Sequence, residues 1–341
     1  MTLESKINTN SKTNWRLVVD KHIIPALEHF NYDQEIIPTL RTLFYRLVSL
    51  EVIPNTENSY KRLSRILVQE RKEGRIGFDA IADESGRQVI CNFNDSYIDP
   101  EEYVRKYTHY LKRVPLHYRI PRWYKQPDYV EVWVEKQALA STFESFLKGR
   151  DVRIVINKGF ASWTFLYQNA QRLAQMVRED PSREIHILYF GDFDPSGEDM
   201  DRHLNEALIQ FDLYRIVEFE RIAVTQEQIA EFDLPPTPED SETLKKLDRD
   251  SRTDRFIEKH GQLFAVELDA LLAIVPDEFR KLVQESVDCY FDFNIYKDER
   301  NRYPHSQMRR LVAQQVKAAF NVPDSVNLDL ISDSMKPWGE D

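Results

Sequence analysis

The chain has 341 residues, of which 42% are hydrophobic, and it carries a formal net charge of −11. No apolar run reaches the ~18 residues that a membrane-spanning helix needs, and the N-terminal residues lack the apolar core of a signal peptide. The two cysteines, Cys91 and Cys289, exclude a disulfide framework and a CxxC zinc site. We therefore expect a cytoplasmic protein with two or more domains and no membrane contact.

The charges are unevenly distributed along the chain. Residues 1–127 contain 20 Lys and Arg against 16 Asp and Glu, whereas the remainder contains 26 against 41. A mildly basic part beside an acidic part would suit a magnesium-dependent enzyme that docks on DNA or RNA. Such asymmetry between domains is also common where it has no function.

The N-terminal third shows helical periodicity. Apolar spacing predicts helices over 13–30, 36–51 and 58–73, followed by a short strand or wing over 76–82. Helix, tight turn, helix and wing is the outline of a winged helix-turn-helix. A further helix is predicted over 99–114.

Basic side chains on the third predicted helix are candidates for DNA binding. Lys61, Arg62 and Arg65 could meet backbone phosphates along a groove. The alternative is a solvated helix face, because glutamates dilute the positive charge.

From about residue 129 the pattern changes to alternating strands and helices. Such alternation predicts a mostly parallel sheet covered by helices. The predicted elements are strand 130–134, helix 136–148, strand 152–156, helix 161–178, strand 184–190, helix 196–209 and strand 214–222.

Three carboxylates follow two of these strands. Glu135 ends the first strand, and Asp192 and Asp194 follow the buried strand 184–190. Ligands of parallel sheets bind beyond the carboxyl ends of the strands, and Mg²⁺ prefers oxygen ligands. The pattern therefore predicts a Mg²⁺ site, with Mn²⁺ as a substitute. In the structural alternative, Glu135 forms an ion pair with Lys136 or Arg153 and the aspartates cap a helix.

Several motifs resemble the Toprim domain of the topoisomerase VI A subunit and its relative, the meiotic double-strand-break transesterase. They are Val134-Glu135-Lys136, Asn157-Lys158-Gly159-Phe160, Asp192-Phe193-Asp194-Pro195-Ser196-Gly197 and the later stretch Phe264–Leu271. In that family a winged-helix domain precedes Toprim. The resemblance implies an α/β fold with a winged-helix, DNA-binding domain over 1–114, a linker over 115–128, and a Toprim domain with a C-terminal extension over 129–341.

The resemblance also implies a catalytic tyrosine. Arg41-Thr42-Leu43-Phe44-Tyr45 is similar to the family's tyrosine motif, except that Thr42 stands where the family usually has an acid. On a helical wheel Tyr45 lies away from Leu47 and on the side of Arg41. We therefore expect an accessible phenol, with Arg41 holding the scissile phosphate and helping to ionise Tyr45.

The expected function is a DNA-cleaving, type IIB topoisomerase-like transesterase that acts on double-stranded DNA. The resemblance implies a 5′-phosphotyrosyl intermediate and a homodimer in which Tyr45 of one chain meets the metal site of the other. Glu135 is expected to share in catalysis, and Lys158 to join the DNA-binding residues. A separate ATPase B-type subunit is a candidate partner.

Two alternatives remain open. A Toprim nuclease could hydrolyse the strand without a tyrosine step, as in the architecturally similar plasmid-cleaving subunit of Wadjet-type defence systems. A non-catalytic DNA-binding protein could carry a relic metal site.

Overall fold

A computed structural model describes residues 14–82, 99–156 and 163–321. Lys158, with the predicted motif Asn157–Phe160, lies outside these residues. The α-helices of the described ranges are α1 (Trp15–Val18), α2 (Ile24–Glu28), α3 (Leu40–Ser49), α4 (Glu57–Lys72), α5 (Pro100–Arg113), α6 (Ala140–Phe146), α7 (Trp163–Glu179), α8 (Pro195–Gln210), α9 (Gln226–Glu231), α10 (Glu242–Leu247), α11 (Thr253–His260), α12 (Leu268–Ile274), α13 (Pro276–Asp288), α14 (Phe293–Arg302) and α15 (His305–Phe320).

Within the described residues the sheet has four strands, all parallel, in the order β2-β1-β3-β4. The strands are β1 (Asp128–Val134), β2 (Arg153–Ile156), β3 (Glu184–Phe190) and β4 (Val217–Ala223). β3 is buried from Ile185 to Phe190, as expected for a parallel strand covered on both faces. The predicted α/β fold and the predicted order of strands and helices are confirmed.

The strand order places a topological switch point between β1 and β3. After β1 the chain moves to one side to form β2, then returns past β1 to form β3 on the other side. Crevices at such switch points open beyond the carboxyl ends of the two strands. The residues that follow β1 and β3 therefore lie side by side, and the backbone amide of Glu135 donates to the carbonyl of Phe190 at 2.9 Å.

The N-terminal helices form as predicted, with clear capping signals. Thr39 and Thr56 cap α3 and α4 through their hydroxyls. The helical stretch before them contains two π-helical segments, Val19–Ile23 and His29–Asp33. Gly74, at φ 74°, follows the end of α4.

The predicted strand or wing over 76–82 is wrong. These residues form turns, and their chain is held by Ala80 N donating to the carbonyl of Gly77 at 3.3 Å and Ala82 N to that of Pro38 at 3.0 Å. Ile76 and Ile81 are buried as turn residues, and this burial explains their apolar character without a strand. A winged helix is therefore not confirmed.

The chain is divided into two compact units. The first comprises Met1–Gly86, Val130–Leu147 and Arg153–Asp288, and so combines the N-terminal helices with most of the sheet. The second comprises Arg87–Tyr129, Lys148–Val152 and Cys289–Asp341. The domain boundaries expected at residues 114 and 128 stay a prediction.

The second unit uses the aromatic and basic side chains of the expected linker internally. Trp123 is buried, and its indole donates to the carbonyl of Arg150 at 2.8 Å. The guanidinium of Arg122 lies 4.2 Å from the ring centre of Phe291. These contacts give this stretch a packing role within the second unit.

Candidate metal centre

The loop after β3 folds back onto the residue that ends β1. The carboxylate of Glu135 accepts hydrogen bonds through Oε2 from the backbone amide of Asp192 at 3.0 Å and from the hydroxyl of Tyr189 at 3.1 Å. This contact depends on Gly191. A Cβ there would lie 2.6 Å from Glu135 Oε2 and 2.5 Å from Tyr189 Oη. The glycine therefore allows close approach within the protein.

The two aspartates are held by different parts of the backbone. Asp192 Oδ1 accepts from the amide of Leu268 at 2.8 Å. Asp194 caps α8, with its Oδ1 accepting from the amide of Gly197 at 2.6 Å. The helix-capping alternative is thus correct for Asp194. Since capping occupies one carboxylate oxygen, it does not prevent the other from binding a cation.

Negative charge is crowded at this point. Burial, together with the charges of Asp192 and Asp194, raises the pKa of Glu135 to about 8. Burial and the charge of Asp192 also raise the pKa of Asp194. A cation at the carboxyl ends of β1 and β3 would relieve this repulsion.

Lys136 partly compensates the acidic charge. Its ammonium lies 3.2 Å from Asp192 Oδ2, 2.9 Å from Glu267 and 2.8 Å from Asp269. The predicted ion pair of Lys136 with Glu135 is replaced by this pairing with Asp192. Because Lys136 has two further acidic partners, a cation on Asp192 would not leave the ammonium unpaired.

Glu267 and Asp269 were missed as members of the site. They approach it because Val266 pairs antiparallel with Phe193, through hydrogen bonds of 2.8 and 2.9 Å. Both acids are buried. Burial raises the pKa of Glu267 to about 7. Burial also opposes ionisation of Asp269, but hydrogen bonding and the charge of Lys136 hold the pKa of Asp269 below its usual value.

The sequence does contain a signal for these two acids. They interrupt the apolar run Phe264–Leu271, and acidic residues within such a run are rarely buried without a partner. Their partners come from α3 as well as from Lys136. Arg41 forms an ion pair with Glu267, and the Thr42 hydroxyl donates to Asp269 Oδ1 at 3.0 Å.

The expected accessible phenol is not found. Tyr45 is 0% exposed, and burial raises the pKa of its phenol well above the usual range. The helical wheel gave the wrong environment because α12 packs along α3 and covers the face that the wheel left open. The neighbouring hydroxyl of Thr237 lowers the pKa of the Tyr45 phenol, but among the described residues neither of these two buried hydroxyls meets the geometry of a hydrogen bond.

Arg41 does not present an open guanidinium. It pairs with Glu267 and lies 5.1 Å from the ring centre of Tyr60. Arg41 and Tyr45 therefore do lie on one side of α3, as predicted, but that side faces the buried acids.

The predicted DNA-binding side chains of α4 lie at the surface. Lys61, Arg62 and Arg65 are all exposed. Lys61 lies 3.4 Å from Glu57, Arg62 lies 5.4 Å from the ring centre of Trp15, and Arg65 donates to the carbonyl of Lys61 at 3.3 Å. The face is basic and accessible, and its role in DNA binding stays a prediction.

Comparisons with known proteins do not assign the chain to a family. No family model, no curated protein and no solved structure matches it. Among the described residues, no helix has the length and apolar character needed to cross a membrane.

Proposed function

We propose that the protein cleaves phosphodiester bonds in DNA with a divalent metal ion, Mg²⁺ or Mn²⁺, at Glu135, Asp192 and Asp194. The observation that carries this proposal is that three backbone-anchored carboxylates lie near the switch point between β1 and β3, close enough for the charges of Asp192 and Asp194 to raise the pKa of Glu135, although their oxygens do not all lie within 4.8 Å of one another. Double-stranded DNA would dock on the basic face of α4.

The donor set fits a hard cation. Glu135 and Asp194 each use one carboxylate oxygen in the hydrogen bonds of the site. Their other oxygens have no side-chain partner within the described part of the chain. Mg²⁺ commonly binds through one or two carboxylates and keeps several waters, so these two oxygens together with Asp192 supply enough protein ligands.

The side chains define which steps the protein itself can assist. When bound, the cation would neutralise charge that develops on the phosphate and on the departing oxygen. Glu135, in its carboxylate form, is the group of this site that can accept the proton of an attacking hydroxyl. In hydrolysis the oxygen of water forms the new bond to phosphorus, the bond to the leaving strand oxygen breaks, and that oxygen gains a proton.

Water is the nucleophile that the geometry supports best. Tyr45 is buried and its phenol pKa is raised, so the phenolate required for attack is strongly disfavoured in this conformation. This argument favours the hydrolytic alternative over the expected transesterase.

One observation keeps transesterification as a second candidate. By geometry the buried Tyr45 hydroxyl has no hydrogen-bond partner in the described ranges, and an unpaired buried polar group costs free energy and calls for an explanation. For Tyr45 to attack DNA, α3 would have to separate from α12. In the homodimer that the resemblance implies, Tyr45 would then meet the metal site of the second copy.

Cleavage of supercoiled plasmid in the presence of Mg²⁺ tests both candidates. Hydrolysis predicts linear or nicked DNA without protease treatment, and continued cleavage by Tyr45→Phe. Transesterification predicts DNA that is released only by protease, and no adducts with Tyr45→Phe. Asp192→Asn should abolish cleavage under either mechanism, whereas the exposed-surface control Asp277→Asn should retain it. DNA binding without any cleavage would favour the non-catalytic alternative.

A further inference from the structure

A cavity of about 440 Å³ opens beside the first turn of α8. Its other wall comes from residues 251–259. Pro195 lines the cavity and follows the predicted ligand Asp194 directly. Glu198, a second lining residue, donates its backbone amide to the carbonyl of Asp194 at 3.0 Å. The cavity therefore adjoins the candidate metal centre.

The cavity wall carries an excess of positive charge. Four cationic and two anionic side chains of the described chain line it, namely Arg202, Arg252, Arg255, Lys259, Glu198 and Asp199. Glu206 and Asp250, just outside the lining, bind Arg202 and Arg252 and offset their charges. The preference for an anionic ligand therefore depends on Arg255.

The acids of the wall are already paired. Arg202 binds Asp199 at 2.7 Å, and Lys259 binds Glu198 at 2.9 Å. Arg252 binds Asp250 at 2.5 Å, just outside the lining set. Arg255 is exposed and forms no ion pair with the residues that the structure describes. Its guanidinium is thus the group in this wall best placed to receive a ligand.

We propose that this cavity binds a backbone phosphate of the DNA strand, next to the phosphate that is cleaved, and that Arg255 is its main ligand. The inference rests on the proposed function, because it takes the candidate metal centre as the cleavage point. A guanidinium matches two phosphate oxygens at once. Phosphates follow one another at about 3.4 Å of helical rise along a strand, so a strand lying over Asp194 brings further phosphates to this wall.

Binding measured without metal tests the inference separately from cleavage. Fluorescence anisotropy of a labelled DNA duplex in EDTA would compare the wild type with Arg255→Gln, at several salt concentrations. The variant should bind roughly tenfold more weakly, the loss expected for one hydrogen-bonded charge contact. The slope of log K against log salt should also fall in magnitude by about 0.9.

A matched control removes one positive charge elsewhere. Lys281 is exposed on α13, so Lys281→Gln should leave the salt slope at the wild-type value. Thermal melting of all variants checks that they are folded. If Arg255→Gln binds DNA with wild-type affinity and slope, the inference is refuted.

Two further measurements identify the source of the phosphate and distinguish this inference from the proposed function. Inorganic phosphate presents the same phosphate group as the DNA backbone. If inorganic phosphate at micromolar concentration displaces the duplex, the cavity is a site for free anions and the inference is refuted. Asp192→Asn combined with Asp194→Asn should abolish cleavage and retain the Arg255-dependent binding. If the wild type binds through Arg255 but never cleaves, the cavity assignment holds and the proposed function fails.

Discussion

Replacing Tyr45 by phenylalanine should make the protein more stable. The ring is fully buried and remains in place, while the deleted hydroxyl has no hydrogen-bond partner in the part of the chain that the structure describes. An unsatisfied buried hydroxyl costs about 1–3 kcal/mol. We therefore expect Tyr45→Phe to raise the free energy of unfolding by about 1 kcal/mol. At the entropy of unfolding typical of a unit of roughly 240 residues, this corresponds to about 2 °C in Tm.

A second buried tyrosine provides a control of opposite sign. Tyr189 is also 0% exposed, but its hydroxyl donates to Glu135 at 3.1 Å. Tyr189→Phe should lower the free energy of unfolding by about 1 kcal/mol or more, because it removes a hydrogen bond to a carboxyl group. Urea unfolding followed by fluorescence and circular dichroism measures both variants. Any loss of stability in Tyr45→Phe would refute the reasoning, since it would show that the hydroxyl has a stabilising partner, for which Thr237 is the candidate.

Three further predictions concern the acidic site. Lys136→Met should lower the free energy of unfolding by about 3 kcal/mol in urea unfolding, because it leaves Asp269 and Glu267 buried with one cation fewer; a change no larger than that of the surface variant Lys281→Met would contradict this. Mg²⁺ affinity should rise with pH up to about 8 and then level off, because Glu135 must lose its proton to bind the ion and burial raises its pKa to about 8. Calorimetry at about pH 7 in buffers of different ionisation enthalpy should detect this proton release. Absence of proton release would count against the site. Gly191→Ala should weaken Mg²⁺ binding in the same titration, because its Cβ would lie 2.6 Å from Glu135 Oε2; unchanged affinity would show that Glu135 does not need its present position.

The sheet could be predicted because its sequence signal is local. Strands β1 and β3 are short apolar runs bounded by polar residues, and parallel strands of this kind are buried on both faces. The positions of Glu135, Asp192 and Asp194 after these strands followed from the same pattern. The turns over 76–82 misled the prediction because Ile76 and Ile81 are buried without belonging to a strand.

The environment of Tyr45 could not be predicted from its own helix. A helical wheel includes only the residues of α3, whereas Tyr45 is covered by α12, which begins far along the chain at Leu268. Glu267 and Asp269 were missed for the same reason, since their role depends on Arg41 and Lys136, which are distant in sequence. Long-range pairing of buried charges leaves little trace in local periodicity.

The most direct test of the central claim is to locate a bound cation. Crystals soaked in Mn²⁺ give an anomalous-difference map in which the metal position is read without reference to activity. The account predicts a peak bounded by Glu135, Asp192 and Asp194, and loss of that peak in Asp192→Asn crystals. A map with no peak among the three carboxylates at the carboxyl ends of β1 and β3 would contradict it.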